Sequence, residues 1–186
     1  MKTRSPLLLS FTFCSLLLSG AVIAQTQPDT STADSPYLRH AQSTPAPTKK
    51  VSDKDAQFIS RAVGGNEAEI ENGKMAMKKA QSAEVKKIAA RIVSDHTRMN
   101  NGLLAFAAKN GVRVTTGTVK PQNIGEKDFD RAYLQMVEQG HQSDIADYEK
   151  QAKSGGDPEL RSWATKSLPV LKAHLAMIRD GLKRVK

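Results

Sequence analysis

Three histidines, His96, His141 and His174, each fall on the apolar stripe of a different amphipathic segment, near its middle. A neutral imidazole offers a lone pair that can replace one water in the shell of a transition ion, at about 2.0–2.2 Å. Several such rings converging from different helices make a plausible metal pocket. The first segment adds a carboxylate. Glu67 and Glu71 share a side with Lys74 and Lys78 at spacings of three and four, which marks solvent ion pairs. Glu69 lies about 200° round the helix from Glu67, in line with Ala62, Asn66, Gly73 and Ala76, and so belongs to the inner side.

Glu138 and His141 form a Glu-x-x-His pair that shares one helix face, half of the pattern used by carboxylate-bridged di-iron and di-manganese bundles. The expected metal set is therefore Glu69, His96, His141 and His174, with Glu138 as a fifth ligand or an outer group. Fe, Mn, Zn or Cu would suit these donors. Asp144, Tyr148 and Asn100 are candidates to hold the imidazole tautomers. A competing reading needs no ion: Tyr133, Tyr148, Asp95 or Asn100 could satisfy three structural core histidines by hydrogen bonds.

The elements that carry these groups are four long helical patterns. The first opens at Ser52, with Asp55 three residues on, and passes Phe58, Ile59, Ala62, Val63, Ile70 and Met77 to about Ala80. Gly64-Gly65 weakens its middle. The second follows Ser82, with Val85, Ile88, Ala89, Ile92, His96, Met99, Leu103 and Phe106 at helical spacing, and stops at Asn110-Gly111. Residues 112 to 125 lack helical period. The third runs from about Glu126 to Ser154, and Gly155-Gly156 end it. Asp157-Pro158 launches the fourth, an N-cap followed by a first-turn proline. Pro169 lies inside that last helix, where the missing donor and the ring clash predict a kink near residues 165 to 169.

Helices of about 28 residues, each roughly 42 Å long, make a four-helix bundle. The first two and the last two are antiparallel hairpins. The middle connection reaches roughly 46 Å, enough to cross the bundle's full length, so both a crossover and a simple up-down-up-down chain are allowed. With the crossover, Glu69 and the three histidines span roughly 5 Å in height; without it, about 8 Å.

The amino-terminal stretch is not part of this fold. Lys2 and Arg4 precede an apolar run from Leu7 to Leu18 and a small-residue tail ending at Ala24, which together predict a secretory signal peptide over residues 1–24. The run is too short to span a bilayer comfortably, so the mature chain is expected to have no transmembrane span and to reside in the periplasm or outer envelope. Cys14, the single cysteine, leaves with the signal, which excludes disulfides, thiolate catalysis and Cys-ligated zinc. Residues 25–51, rich in Gln, Thr, Ser and Pro, read as a flexible linker. The helical domain spans 52–185.

Only 5% of residues are aromatic and 39% are hydrophobic, which argues against a β-sandwich or barrel. From Ser52 onward there are 23 basic against 17 acidic residues. Lys78, Lys79, Lys86, Lys87 and Arg91 crowd the first hairpin tip, and Lys183, Arg184 and Lys186 close the chain. A crossover would gather both clusters at one end, where an anionic envelope partner could dock. Such a non-catalytic interaction module is the alternative to the metal reading. No G-x-S-x-G elbow and no phosphate-cradling loop occur, so no complete catalytic motif is present. Nucleic-acid binding is not expected, since the basic patches lack interleaved aromatics.

Several segments resemble an exported bacterial family called domain of unknown function 4142. They are Asp55-Ala56-Gln57-Phe58-Ile59 through Gly64-Gly65-Asn66-Glu67-Ala68-Glu69, the Val93-Ser94-Asp95-His96-Thr97 run, Tyr133 with His141, and Leu168-Pro169-Val170-Leu171-Lys172-Ala173-His174. The resemblance covers about residues 52 to 184. It implies a ferritin-like all-α bundle in the bacterial envelope and supplies no activity. Val93 and Leu171 stand where the ferritin-like di-iron pattern has glutamates, so two bridging carboxylates are missing and a mononuclear histidine-rich site, or none, is expected.

Overall fold

The computed structural model describes residues 51–185; the expected signal peptide, the linker up to residue 50 and Lys186 lie outside the described residues. Among the described residues there are four helices and no strands: α1 (Asp53–Lys79), α2 (Ala83–Lys109), α3 (Phe129–Ser154) and α4 (Pro158–Arg184). None is long and apolar enough to cross a membrane.

Local chemistry sets most of the helix ends. Ser52 and Ser82 accept backbone N–H groups of the first turns of α1 and α2, and Asp157 does so for α4 with Pro158 at the first position. α2 ends at Asn110, and Gly111 then takes φ +65°. The start of α3 differs from expectation, at Phe129 instead of about Glu126. Asp128 adopts φ 53° and makes no side-chain cap. Asp130 in the first turn accepts the backbone N–H groups of Gln81 (2.9 Å) and Ser82 (2.7 Å) and so ties the start of α3 to the α1–α2 turn. α4 runs unbroken through Pro169. Both Pro169 and Thr165, whose carbonyl loses its helical donor, are exposed, so water can satisfy that oxygen.

Contacts between helix ends settle the topology. Asp55 at the start of α1 accepts bonds from Gln151, Gly156 and Asp157 around the α3–α4 turn. At the other end Arg184 pairs with Glu84, and Arg131 donates to the Val185 carbonyl. α2 and α3 therefore run the same way, and residues 110–128 cross the full length of the bundle. This strap is pinned midway, where the Gln122 N–H donates to Asn72 Oδ1 at 2.7 Å. The described members of the two basic clusters do meet at one end, but that end carries both signs. Lys183 pairs with Asp180 (2.9 Å), Arg184 with Glu84, and Asp128 and Asp130 lie beside Lys78 and Lys79.

The hydrophobic core comes in two pieces. One, at the end holding the α3–α4 turn, contains Phe58, Ile59, Val63, Leu103, Phe106, Tyr148, Leu160 and Leu171. The other, at the opposite end, contains Val85, Ile88, Ile92, Tyr133, Leu134, Val137 and Ile178. Met77, expected on the inner stripe, turns outward at 43% exposure, and Ile70, also expected there, is only half-buried, beside residues 117–119 of the strap. Past Val63 the inner side of α1 is instead Asn66, Glu69, Asn72, Gly73 and Ala76. Gly73 lets α2 close in, since a Cβ there would come 2.5 Å from Val93 Cγ2.

Candidate metal centre

Between the two apolar pieces lies a buried polar layer of Asn66, Glu69, Asp95, His96, Asn100, His141 and His174. Burying polar groups costs stability unless each finds a partner. The partners found here define the chemistry.

The three histidines come from α2, α3 and α4 and are essentially shut off from solvent, at 0%, 0% and 2% exposure. Their ring centroids form a near-equilateral triangle with sides of 5.3, 5.3 and 5.4 Å. One nitrogen of each lies within 4.8 Å of the others'. The remaining nitrogens are held from behind. His96 Nδ1 faces Asn66 Oδ1 at 3.0 Å. His141 Nδ1 faces the Val137 carbonyl, one turn back, at 2.8 Å. His174 Nε2 faces Asp95 Oδ2 at 3.0 Å. Each partner is an oxygen acceptor, so each of these nitrogens carries the proton.

The inner nitrogens, His96 Nε2, His141 Nε2 and His174 Nδ1, are therefore left with lone pairs. His96 Nε2 is buried with no hydrogen-bond partner among the described residues. His141 Nε2 and His174 Nδ1 stand 3.2 Å apart. Neither has a proton to give the other, so this contact opposes two lone pairs until a cation lies between them. A proton is poorly suited to that place. Burial drives the His96 imidazole down to about 3 and the His141 imidazole down to about 4, and it lowers His174 as well. A metal ion fits the spacing of this pair, because two donors each about 2.1 Å from one ion, at angles of roughly 90–110°, lie about 3.0–3.4 Å apart.

Asp95 is the charged anchor of the layer. Although burial pushes its carboxyl up, hydrogen bonds from His174 and Arg91 hold it below the ordinary carboxylate range. Arg91 and Arg98, on the outer side of α2, grip its two oxygens at 2.5 and 3.0 Å. Asp95 thus remains an anion at neutral pH and orients His174.

Glu69 reaches the same level but on the other edge of the His141 ring. Its Oε1 is 3.7 Å from His141 Nδ1, the nitrogen already facing Val137. It is 8% exposed and its Oε2 has no partner among the described residues. Burial and the nearby Asp144 push its carboxyl up to about 8. Glu138 is not brought to this layer at all. It sits at the α3–α4 edge, paired with Arg179 at 2.8 Å and accepting from Gln142. A spacing of three residues rotates a side chain about 60° away from His141, and that rotation carries Glu138 from the interior to the groove.

Among the described residues Asp144, Tyr148 and Asn100 make no hydrogen bond to a histidine; Asn66 and a backbone carbonyl do, as does Asp95, the group named by the reading without an ion. Asp95 has a visible signal in sequence, standing next to His96 on an otherwise apolar stripe. Asn66 has a fainter one, in line with Glu69 on the inner side of α1.

The family described as "Domain of unknown function (DUF4142)" matches residues 40–180. No curated protein matches the chain. Among solved structures, a DUF305 fragment from Deinococcus radiodurans superposes with a TM-score of 0.64 at 12% identity, covering 72% of this chain and 98% of its own. A conserved hypothetical protein from Mycobacterium tuberculosis superposes with a TM-score of 0.60 at 11% identity, covering 70% and 92%. At such identities these two establish a shared fold.

Proposed function

The chain belongs to the family described as domain of unknown function DUF4142, and since that description carries no activity we propose a function from the polar layer itself: an exported helical bundle, ferritin-like in its single long crossover, that binds one transition-metal ion through His96, His141 and His174. The observation that carries the proposal is the tautomer arrangement. Each of the three rings donates its outer N–H to an oxygen acceptor and presents a bare, buried lone pair to the others. That is the state in which imidazole binds metal.

Neutral imidazoles without thiolates favour zinc or copper, with iron and manganese less well served by a ligand set lacking carboxylates. Three protein donors leave a coordination position open, as in catalytic zinc sites. Asp95 behind His174 supplies negative charge that a buried divalent ion requires. Export is supported by the Lys2/Arg4, apolar and small-residue order at the amino terminus. The role is metal binding outside the cytoplasm, with no complete catalytic motif to add a reaction.

The test is elemental analysis of untagged protein, together with thermal melts in EDTA and in added Zn, Cu, Fe or Mn. Near-stoichiometric metal is expected, and a ligand at a hundred times its dissociation constant adds about 2.7 kcal/mol, a rise in Tm of about 10 °C for a domain of this size. His96→Ala should abolish the rise. A melt indifferent to every metal would sink the reading and leave a hydrogen-bonded structural core.

A further inference from the structure

The surplus positive charge of the bundle belongs to one of its long sides. α2 holds five basic and two acidic residues and α4 six and two, whereas α1 holds five of each and α3 three basic against five acidic. α2 and α4 are neighbours: Lys109 pairs with Glu159 (2.8 Å) near one end of their seam, Arg184 with Glu84 near the other, and Asp95 meets His174 between them. α1 and α3 adjoin on the opposite side, where Arg61 pairs with Asp147 and Glu69 rests over Gly140. Packing thus brings together the two cation-rich helices, which the chain order separates.

Helical phase places the cations on the outside of this seam. Lys87, Arg91, Arg98 and Lys109 follow one another at spacings of four, seven and eleven, so they share a line on α2. On α4, Lys166 stands seven residues after Glu159 and eighteen before Arg184, which puts it on the line that faces α2. All six cations are exposed. The three carboxylates of the seam, Glu84, Asp95 and Glu159, are each gripped by members of this set, while Lys87 and Lys166 have no acidic partner among the described residues. Trp163 fills the seam, since a Cβ on Gly102 would come 3.3 Å from its Nε1. Two helices lying side by side therefore carry a plane of cations, roughly 33 Å long from Lys87 to Lys109.

We propose that this α2–α4 side docks flat on an anionic phospholipid bilayer. Charge complementarity selects an anion, and shape selects a surface. Cations set along two helices reach the headgroups of one plane together, whereas a linear polyanion follows a single line. Ser94, Ala105, Ala173 and Ala176 are exposed small residues among these cations, and they let both helices come close to the headgroups. Docking in this way needs no metal in the histidine trio, so it stands apart from the function proposed above.

Co-sedimentation of the purified chain with vesicles of phosphatidylcholine, alone or mixed with phosphatidylglycerol, tests the surface. Binding is expected only with phosphatidylglycerol and should weaken as salt rises. Lys87→Glu combined with Lys166→Glu should weaken it by about tenfold or more. Lys150→Glu combined with Lys153→Glu makes the same change in net charge on exposed residues of α3, and should leave binding within about twofold. Circular dichroism and thermal melts confirm that both double variants are folded. A wild type that ignores the anionic vesicles would overturn the proposal. Equal losses in the two double variants would also overturn it, by reducing the effect to net charge. Binding to soluble heparin but not to vesicles would give the surface to a linear polymer and overturn the bilayer assignment.

Discussion

His174 Nε2 stands 3.0 Å from Asp95 Oδ2, and this one bond connects the innermost ring of α4 to two surface arginines of α2. Asp95 itself is 1% exposed, while the Arg91 and Arg98 side chains that grip it are 64% and 72% exposed. The histidine trio is thereby tied to the protein's surface through a single buried carboxylate.

Asp95→Asn tests that connection. Loss of the charge should weaken zinc binding about 10–100-fold, the usual effect of removing the group behind a metal-binding imidazole. Competition against a zinc chelator measures it. An unchanged affinity would mean that packing alone orients His174.

The metal-free protein should be most stable near pH 6–7, as read from urea midpoints between pH 4 and 9. The ordinary histidine value is 6.5, whereas folded His96 and His141 titrate at about 3 and 4. Through the histidines, protons below pH 6.5 favour the unfolded chain; Asp144, raised by burial from 3.8 to about 6, opposes this together with Glu69, so the net fall in stability comes below about pH 4.5. Glu69 acts in the opposite sense: its ordinary value is 4.5 and its folded value about 8. Its contribution is complete below pH 4.5 and is lost as pH rises through 8. Stability that keeps rising to pH 9 would contradict the burial of Glu69.

Gly73→Ala should destabilise the fold by about 1–3 kcal/mol. The added methyl would fall 2.5 Å from Val93 Cγ2 and 3.3 Å from the Ala89 carbonyl, forcing α1 and α2 apart. Chemical denaturation reads the loss. A gain in stability, as helix propensity alone would give, would show that the α1–α2 interface has room to adjust.

Asp55→Ala should cost about 3 kcal/mol, because a buried anion's bonds are lost together. Asp55 receives Ser52 Oγ (2.8 Å), Gln151 Nε2 (2.7 Å) and the backbone N–H groups of Gly156 and Asp157 (3.0 Å each). The same residue thus joins the start of α1 to the α3–α4 turn. Hydrogen exchange at Gly156 and Asp157 should speed up in the variant, and unchanged protection there would argue against this role.

Four helices, their caps at Ser52, Ser82 and Asp157, and the inward direction of His96, His141, His174 and Glu69 are all legible in the sequence. These features depend on spacing within one helix or on bonds within one turn, and 3.6 residues per turn converts such spacing directly into direction. Tertiary structure decided the rest. The middle connection was long enough for either topology, and only contacts such as Asp55 with Gly156 and Arg184 with Glu84 select the crossover. Glu138 is just 60° from His141 on the same helix, and which of the two lies inside depends on how α3 is rotated against α4. Asn66 and Asp95 meet their histidines across helix interfaces, and Asp130 bonds the α1–α2 turn from the first turn of α3. Periodicity along one chain sets which way a side chain points, but which group from another helix waits there is set by packing between helices.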